Sequence, residues 1–228
     1  MRNQFLFSTL LAAALSVSAA SASTVSLHYD GPTSNGVAKI LSAPVTPVAG
    51  FKVKYGAFGF KMTDTTGALG SFVAWCLDVT HALATKGTEQ YAATKTPFSN
   101  SYGISTAALG RIQSLFDANY RTLDVTDRTS AASFQSALWE TLYDTDHNTM
   151  TGAFRVSGAD TLRANGYLDA AMAYTGPSRY RLTFLESTGD ITRQNLVTVS
   201  AVPLPAGGML LVSAIAGFGA LRRRRKAA

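Results

Sequence analysis

The chain has a single cysteine, Cys76, in the run Phe72-Val73-Ala74-Trp75-Cys76-Leu77-Asp78. A lone cysteine has several chemical uses: a small buried hydrophobe, a free thiol, or one half of an intermolecular disulfide. Fifty-nine positions on, Gln135 stands in Phe134-Gln135-Ser136-Ala137-Leu138-Trp139-Glu140. A glutamine among the apolar residues of a helix is unusual, because a buried amide needs partners for both ends or loses solvation. A thiolate is a good nucleophile towards an acyl carbon. These two side chains are therefore the ones whose types could do chemistry together.

Trp75-Cys76-Leu77-Asp78 and Phe134-Gln135-Ser136-Ala137-Leu138-Trp139 together resemble the motifs of the thioester domains of bacterial surface adhesins. In that family the cysteine sulfur displaces ammonia from the glutamine, leaving an internal thioester that acylates an amine on a target. The resemblance implies that Cys76 supplies the sulfur and Gln135 the acyl carbon, with Trp75, Phe134, Trp139 and Tyr143 as shielding aromatics. Asp78 would orient the strand or polarise the site, or serve only as a strand-end turn carboxylate. The chain departs from the family in having Trp75 before the cysteine and a compact separation between the motifs. The alternative is a non-covalent structural component of an exopolysaccharide matrix, with Cys76 buried and inert.

Other chemistries have less behind them. A Cys–His hydrolase would need His28, His81 or His147 beside Cys76; His81 lies only five residues downstream, and none carries a family signature. Asp144-Thr145-Asp146-His147-Asn148 alternates oxygen ligands but lacks the sixth-position glycine and distal glutamate of a calcium loop, so it reads as a polar turn. No Gly-rich phosphate loop, HExxH or GxSxG occurs. The expectation is a non-enzyme with no metal and no cofactor.

The elements that must position the pair follow from hydrophobic period. Val25–Tyr29, Phe51–Tyr55 and Ala57–Met62 alternate in the strand manner, and Ser71–Val79 reads as a buried strand. Helices are predicted over 105–123 with Ser105 as N-cap, from Asp127 through Tyr143, and over 159–174, the last weakened by Gly166. Strands return at Arg179–Leu185 and Asn195–Val202. The order predicts an α+β fold: an antiparallel β-rich domain over 23–201 with an inserted helical subdomain.

The ends read as addresses. Residues 1–22 have a positive start, an apolar core and an Ala20-Ser21-Ala22 cleavage site, the pattern of a signal peptide; cleavage after Ala19 is the second choice. From Val202 to Leu221 no residue is charged, enough for a membrane-spanning helix, and Arg222, Arg223, Arg224, Arg225 and Lys226 follow as a stop-transfer cluster. Val202, Pro203, Leu204, Pro205 and Ala206, the span and the arginines resemble the PEP-CTERM sorting signal in its VPLPA form. That resemblance implies processing by an exosortase of a Gram-negative bacterium, in systems often tied to exopolysaccharide. The chain would cross the inner membrane, stay anchored until sorted, and end at the surface or in the matrix.

Of 228 residues, 46% are hydrophobic and 15% charged, too apolar for a disordered chain. The net charge of +6 is accounted for by Arg2 and the five basic residues near the C-terminus, which leaves the body formally neutral. Nothing predicts the basic stripe that a nucleic-acid binder needs.

Overall fold

The computed structural model describes residues 23–95, 97 and 106–202. They form nine strands and three helices: β1 (Ser23–Pro32), β2 (Val37–Ser42), β3 (Lys54–Gly56), β4 (Phe60–Asp64), β5 (Ser71–Cys76), β6 (Thr88–Thr94), α1 (Thr106–Asn119), α2 (Arg128–Tyr143), β7 (Arg155–Ser157), α3 (Thr161–Met172), β8 (Tyr180–Ser187) and β9 (Leu196–Ala201). Six strands close into a barrel in the order β1-β4-β5-β9-β8-β6, and β3-β2-β7 form a smaller sheet. Every ladder is antiparallel. Closure depends on the length of β1, whose first half pairs with β6 (Val25 opposite Tyr91) and whose second half pairs with β4 (Leu27 opposite Asp64). A register shift between Tyr29 and Gly31 bends the strand between these partners, and Gly31 supplies the positive φ of 129°.

The predicted α+β class agrees with this strand-rich mixture, but the helical segment is not a separate subdomain. The chain between α2 and α3 adds β7 to the edge of β2, with Ile40 opposite Val156. The three helices are thereby tied to the sheets rather than set apart from them. Two predicted strands shrink. Phe51–Val53 is a turn with Lys52 at φ 64° and both Phe51 and Val53 exposed, so only Lys54–Gly56 pairs; the next strand starts at Phe60, not Ala57. The run Ser71–Val79 stops being a strand after Cys76, where Asp78 turns the chain.

The helices begin where their caps say. Asp127 Oδ1 accepts from Ser130 N at 2.7 Å to start α2, and Asp160 does the same for Arg163 N to start α3. The predicted cap Ser105 lies outside the described residues. Helix α1 ends at Asn119 rather than Leu123, because the Asn119 amide donates to Leu115 O and to Tyr167 O, closing the last turn onto α3.

The core has two parts divided by the pleat of β5. Trp75 faces the helices, among Phe116, Phe134, Leu138 and Val197; Cys76 faces the other way, among Val25, Leu27, Tyr91, Leu196 and Trp139. Helix α2 is buried from Ser130 to Thr141 and feeds both clusters. Its approach to the chain entering β2 leaves no room at Gly36, where a Cβ would lie 2.6 Å from Ala57 O and from Arg128 O. Gly36→Ala is therefore expected to lower stability by about 2 kcal/mol, read as a lower urea midpoint at unchanged slope.

Candidate functional site

Cys76 is the last residue of β5, held by β9 through its pairing with Leu196, and is 2% exposed. Gln135 sits in the middle of α2 and is fully buried. The structure brings the two together. Cys76 N donates to Gln135 Oε1 at 3.0 Å, and Gln135 Nε2 donates to Cys76 O at 2.9 Å. The side-chain amide thus docks on the cysteine's own peptide groups as a further strand would. Both ends of the buried amide are satisfied, and its carbonyl carbon is fixed beside the residue that carries the thiol.

That docking has chemical consequences. A nucleophile adding to the Gln135 carbonyl carbon puts negative charge on Oε1, and Cys76 N–H already points at that oxygen as an oxyanion donor would. The other bond, from Nε2, is the one lost if nitrogen leaves.

The predicted shielding aromatics divide between the two faces. Trp139, one helical turn after Gln135, lies in the same core cluster as Cys76 and lines the same cavity. Trp75 and Phe134 pack edge-to-face at 4.9 Å between ring centroids, in the cluster behind β5. They brace the strand and helix that carry the pair. Tyr143, one turn beyond Trp139, accepts from Val79 N through its hydroxyl.

A cavity of about 300 Å³ reaches Cys76, with Tyr29, Tyr55, His81, Trp139 and Gln194 among its walls. His81, set aside on sequence distance as a partner for Cys76, thus shares a cavity with it. Its Nδ1 lies 3.1 Å from Asp78 Oδ1. Asp78 is 1% exposed and organises the turn after β5: Oδ1 accepts from Thr80 N and His81 N, and Oδ2 accepts from Asn195 N at 2.7 Å. Gln194 Nε2 donates to Asp78 O, so the start of β9 is pinned to the end of β5. Burial pushes the Cys76 thiol well above its ordinary value, and the Asp78 charge adds to this. At neutral pH the free thiol is protonated, which does not suit a resting thiolate hydrolase.

One group escaped the sequence reading. Glu140, in the apolar run Leu138-Trp139-Glu140-Thr141-Leu142, is fully buried, and neither carboxyl oxygen has a hydrogen-bond partner. One oxygen each from Glu140, Asp144 and Asp146 lie within 4.8 Å of one another. Burial, followed by the adjacent Asp146 and Asp144, pushes the Glu140 carboxyl up to about 9. A glutamate directly after Leu138-Trp139 and two positions before Leu142, four positions before an aspartate, was the available signal. Asp144–Asn148 does form the predicted polar turn, with Asp146 Oδ1 accepting from Asn148 N. His28 and His147 are not among the residues lining the Cys76 cavity.

Of the sorting motif only Val202 is described, with its N donating to Arg179 O and its side chain exposed; Pro203, Leu204, Pro205 and Ala206, the span and Arg222–Lys226 lie outside the described residues, as do 1–22. Among the described residues no helix is long and apolar enough to cross a membrane.

No family model matches the chain, and no curated protein sequence matches it. Among solved structures it is similar to the N-terminal domain of the Streptococcus pyogenes pilus tip adhesin Cpa, at 12% identity and TM-score 0.41, covering 77% of this chain and 98% of that one. It is similar to the N-terminal thioester domain of a Clostridium perfringens surface protein, at 14% identity and TM-score 0.39, covering 73% and 98%. A third is the N-terminal thioester domain of a protein F2 like fibronectin-binding protein from Streptococcus pneumoniae, at 15% identity and TM-score 0.40, covering 77% and 99%.

Proposed function

We propose that this chain is an exported surface or matrix protein whose body forms an internal thioester between Cys76 and Gln135 and uses it once to attach to an amine-bearing target. The observation that carries the reading is the two-point docking of the buried Gln135 amide on the peptide groups of Cys76, which itself lines a cavity.

In the forming step the Cys76 sulfur adds to the Gln135 carbonyl carbon, the C–S bond replaces the C–N bond, and the thiol proton leaves with nitrogen as ammonia. Cys76 N–H stabilises the charge on Oε1 meanwhile. In the attaching step a primary amine entering the cavity adds to the same carbon, and the sulfur leaves and regains a proton. His81, whose Nδ1 lies 3.1 Å from Asp78 Oδ1, lines the same cavity and is the imidazole placed nearest the entering amine's path. The product is an amide between Gln135 and the target, so the protein is consumed and is not an enzyme.

Export by a signal peptide over 1–22, transient anchoring through 202–228 and processing by an exosortase complete the proposal. They rest on the sequence alone. The target is a surface protein amine or an amine-bearing exopolysaccharide. The second reading, a non-covalent matrix component, has one observation in its favour: the thiol is buried and its ionisation suppressed.

Intact mass of the purified protein separates the two. A thioester leaves the chain roughly 17 Da below its encoded mass, the loss of ammonia, and methylamine restores mass by adding to Gln135. Cys76→Ala is expected to abolish both changes. An unshifted mass with a titratable thiol would establish the second reading instead.

A further inference from the structure

We infer that Glu140, Asp144 and Asp146 form a binding site for a hard divalent cation of the calcium type, at the C-terminal end of α2. Three carboxylates alone would not make a site, but Glu140 adds an independent observation. Its side chain has no exposure and neither oxygen meets a donor at good hydrogen-bond geometry, Asn148 N and the Asp146 carboxyl being its polar neighbours, and one of its oxygens lies within 4.8 Å of an oxygen of each aspartate. A buried carboxyl is ordinarily given donors or replaced by something apolar. Arg111, the nearby cation from α1, spends its Nε and a terminal nitrogen on Thr141 O and does not bond Glu140.

The two aspartates are fixed in place by the loop that follows α2. Asp144 Oδ1 accepts from Thr145 N at 2.7 Å, and Oδ2 accepts from Ala153 N and from Phe154 N. Asp146 Oδ1 accepts from Asn148 N, and Oδ2 accepts from Thr151 Oγ1 at 2.7 Å. Gly152, at φ 71°, makes their approach feasible, since a Cβ there would collide with Asp144 Oδ2 and Asp146 Oδ2. Exposure rises from buried Glu140 through half-buried Asp144 to exposed Asp146, which gives an ion a route in from solvent.

The ligand chemistry chooses the ion. Carboxylate oxygens alone favour calcium, magnesium or manganese over zinc or copper. The three oxygens lie within 4.8 Å of one another, and calcium, which accepts irregular shells of oxygens at about 2.3–2.6 Å, suits so open a set better than magnesium, which demands a near-ideal octahedron at about 2.1 Å. Backbone carbonyls and water would complete the shell. With so few carboxylates the affinity expected is that of extracellular calcium modules, a Kd of about 0.1–1 mM.

The test is thermal unfolding and calorimetric titration of the purified full chain after chelator treatment, with calcium chloride and, separately, magnesium and manganese chloride. Calcium at one hundred times Kd is expected to raise Tm by roughly 5–10 °C. Glu140→Gln and Asp146→Asn should each abolish that rise. Asp146→Asn alters an exposed side chain, so it is the decisive variant if Glu140→Gln does not fold. Absence of heat and of a Tm rise with all three ions would overturn the site, leaving the carboxyls to share a proton. A rise that persists in Asp146→Asn would overturn it too, by placing the ion elsewhere. The result is independent of the mass measurement on Cys76 and Gln135.

Discussion

Gln135→Ala is expected to lower the free energy of unfolding by about 4 kcal/mol if the thiol is free and by more if the two residues are joined, and the cost of Cys76→Ala depends on the bond as well. Truncating Gln135 strands Cys76 N–H and Cys76 C=O, both buried, and leaves a hole in the middle of α2. Each orphaned group costs about 1–3 kcal/mol, and the cavity adds to it. Cys76→Ala behaves differently, because the cysteine meets the amide through its main chain, which alanine keeps. With a free thiol the change removes one sulfur and costs about 1 kcal/mol. With a thioester it also opens a covalent loop across 59 positions, whose closure is worth about 4 kcal/mol in the chain-entropy model. Equilibrium unfolding of the two variants beside the parent therefore reports on the bond without mass spectrometry. Both variants remove the cross-link, so the size of the Cys76→Ala loss is diagnostic: about 5 kcal/mol favours the thioester and about 1 kcal/mol favours the free thiol. Gln135→Glu sharpens the comparison, since it keeps the shape, sets an oxygen against Cys76 O, and has no ammonia to release.

Gln135 was legible as a polar misfit in an apolar helix, and its meaning came from a second short motif far away in the chain. What the sequence could not state is the manner of contact. The amide bonds to main-chain groups of Cys76, which no side-chain pattern encodes. The face of each aromatic was hidden for the same reason: neighbours on a strand point opposite ways, so Trp75 lies behind the residue it adjoins in sequence. Three strands, β2, β6 and β7, carried too little signal. In β6 only Tyr91 is buried, and β7 is three residues long with one buried side chain. Barrel closure between β1 and β6 is a long-range pairing that local periodicity does not contain. Helix α2 was the most legible element, because an Asp cap and a long apolar run agree at every level. That same run concealed Glu140, whose burial against Asp144 and Asp146 depends on the turn after the helix.

Asp78→Asn is expected to act in two directions at once, on stability and on the thiol. The Asp78 carboxylate accepts from main-chain donors on two segments, Thr80 N and His81 N through one oxygen and Asn195 N through the other. An asparagine must turn its NH2 towards one set of donors, so β9 loses its tie to the end of β5 or the turn opens. Charge-assisted bonds of this kind, once broken in burial, cost about 2–4 kcal/mol in all, read as a lower urea midpoint. The effect on Cys76 has the opposite sign. Burial comes first in raising the thiol, and the Asp78 charge is the second cause, so removing that charge lets the thiol ionise more readily. The folded thiol value lies above its unfolded value of about 8.5, so its contribution to stability is complete below that pH. It is lost as pH rises through the folded value. In a free-thiol protein, parent and Asp78→Asn should begin to lose stability together above about pH 8.5 with the same one-proton slope, and the loss should level off at a lower pH in Asp78→Asn, measured by urea titrations from about pH 7 upward. A thioester has no thiol to titrate, and this component would be absent from both. Levelling at the same pH in protein already shown by mass to carry a free thiol would mean that the Asp78 charge does not reach the sulfur.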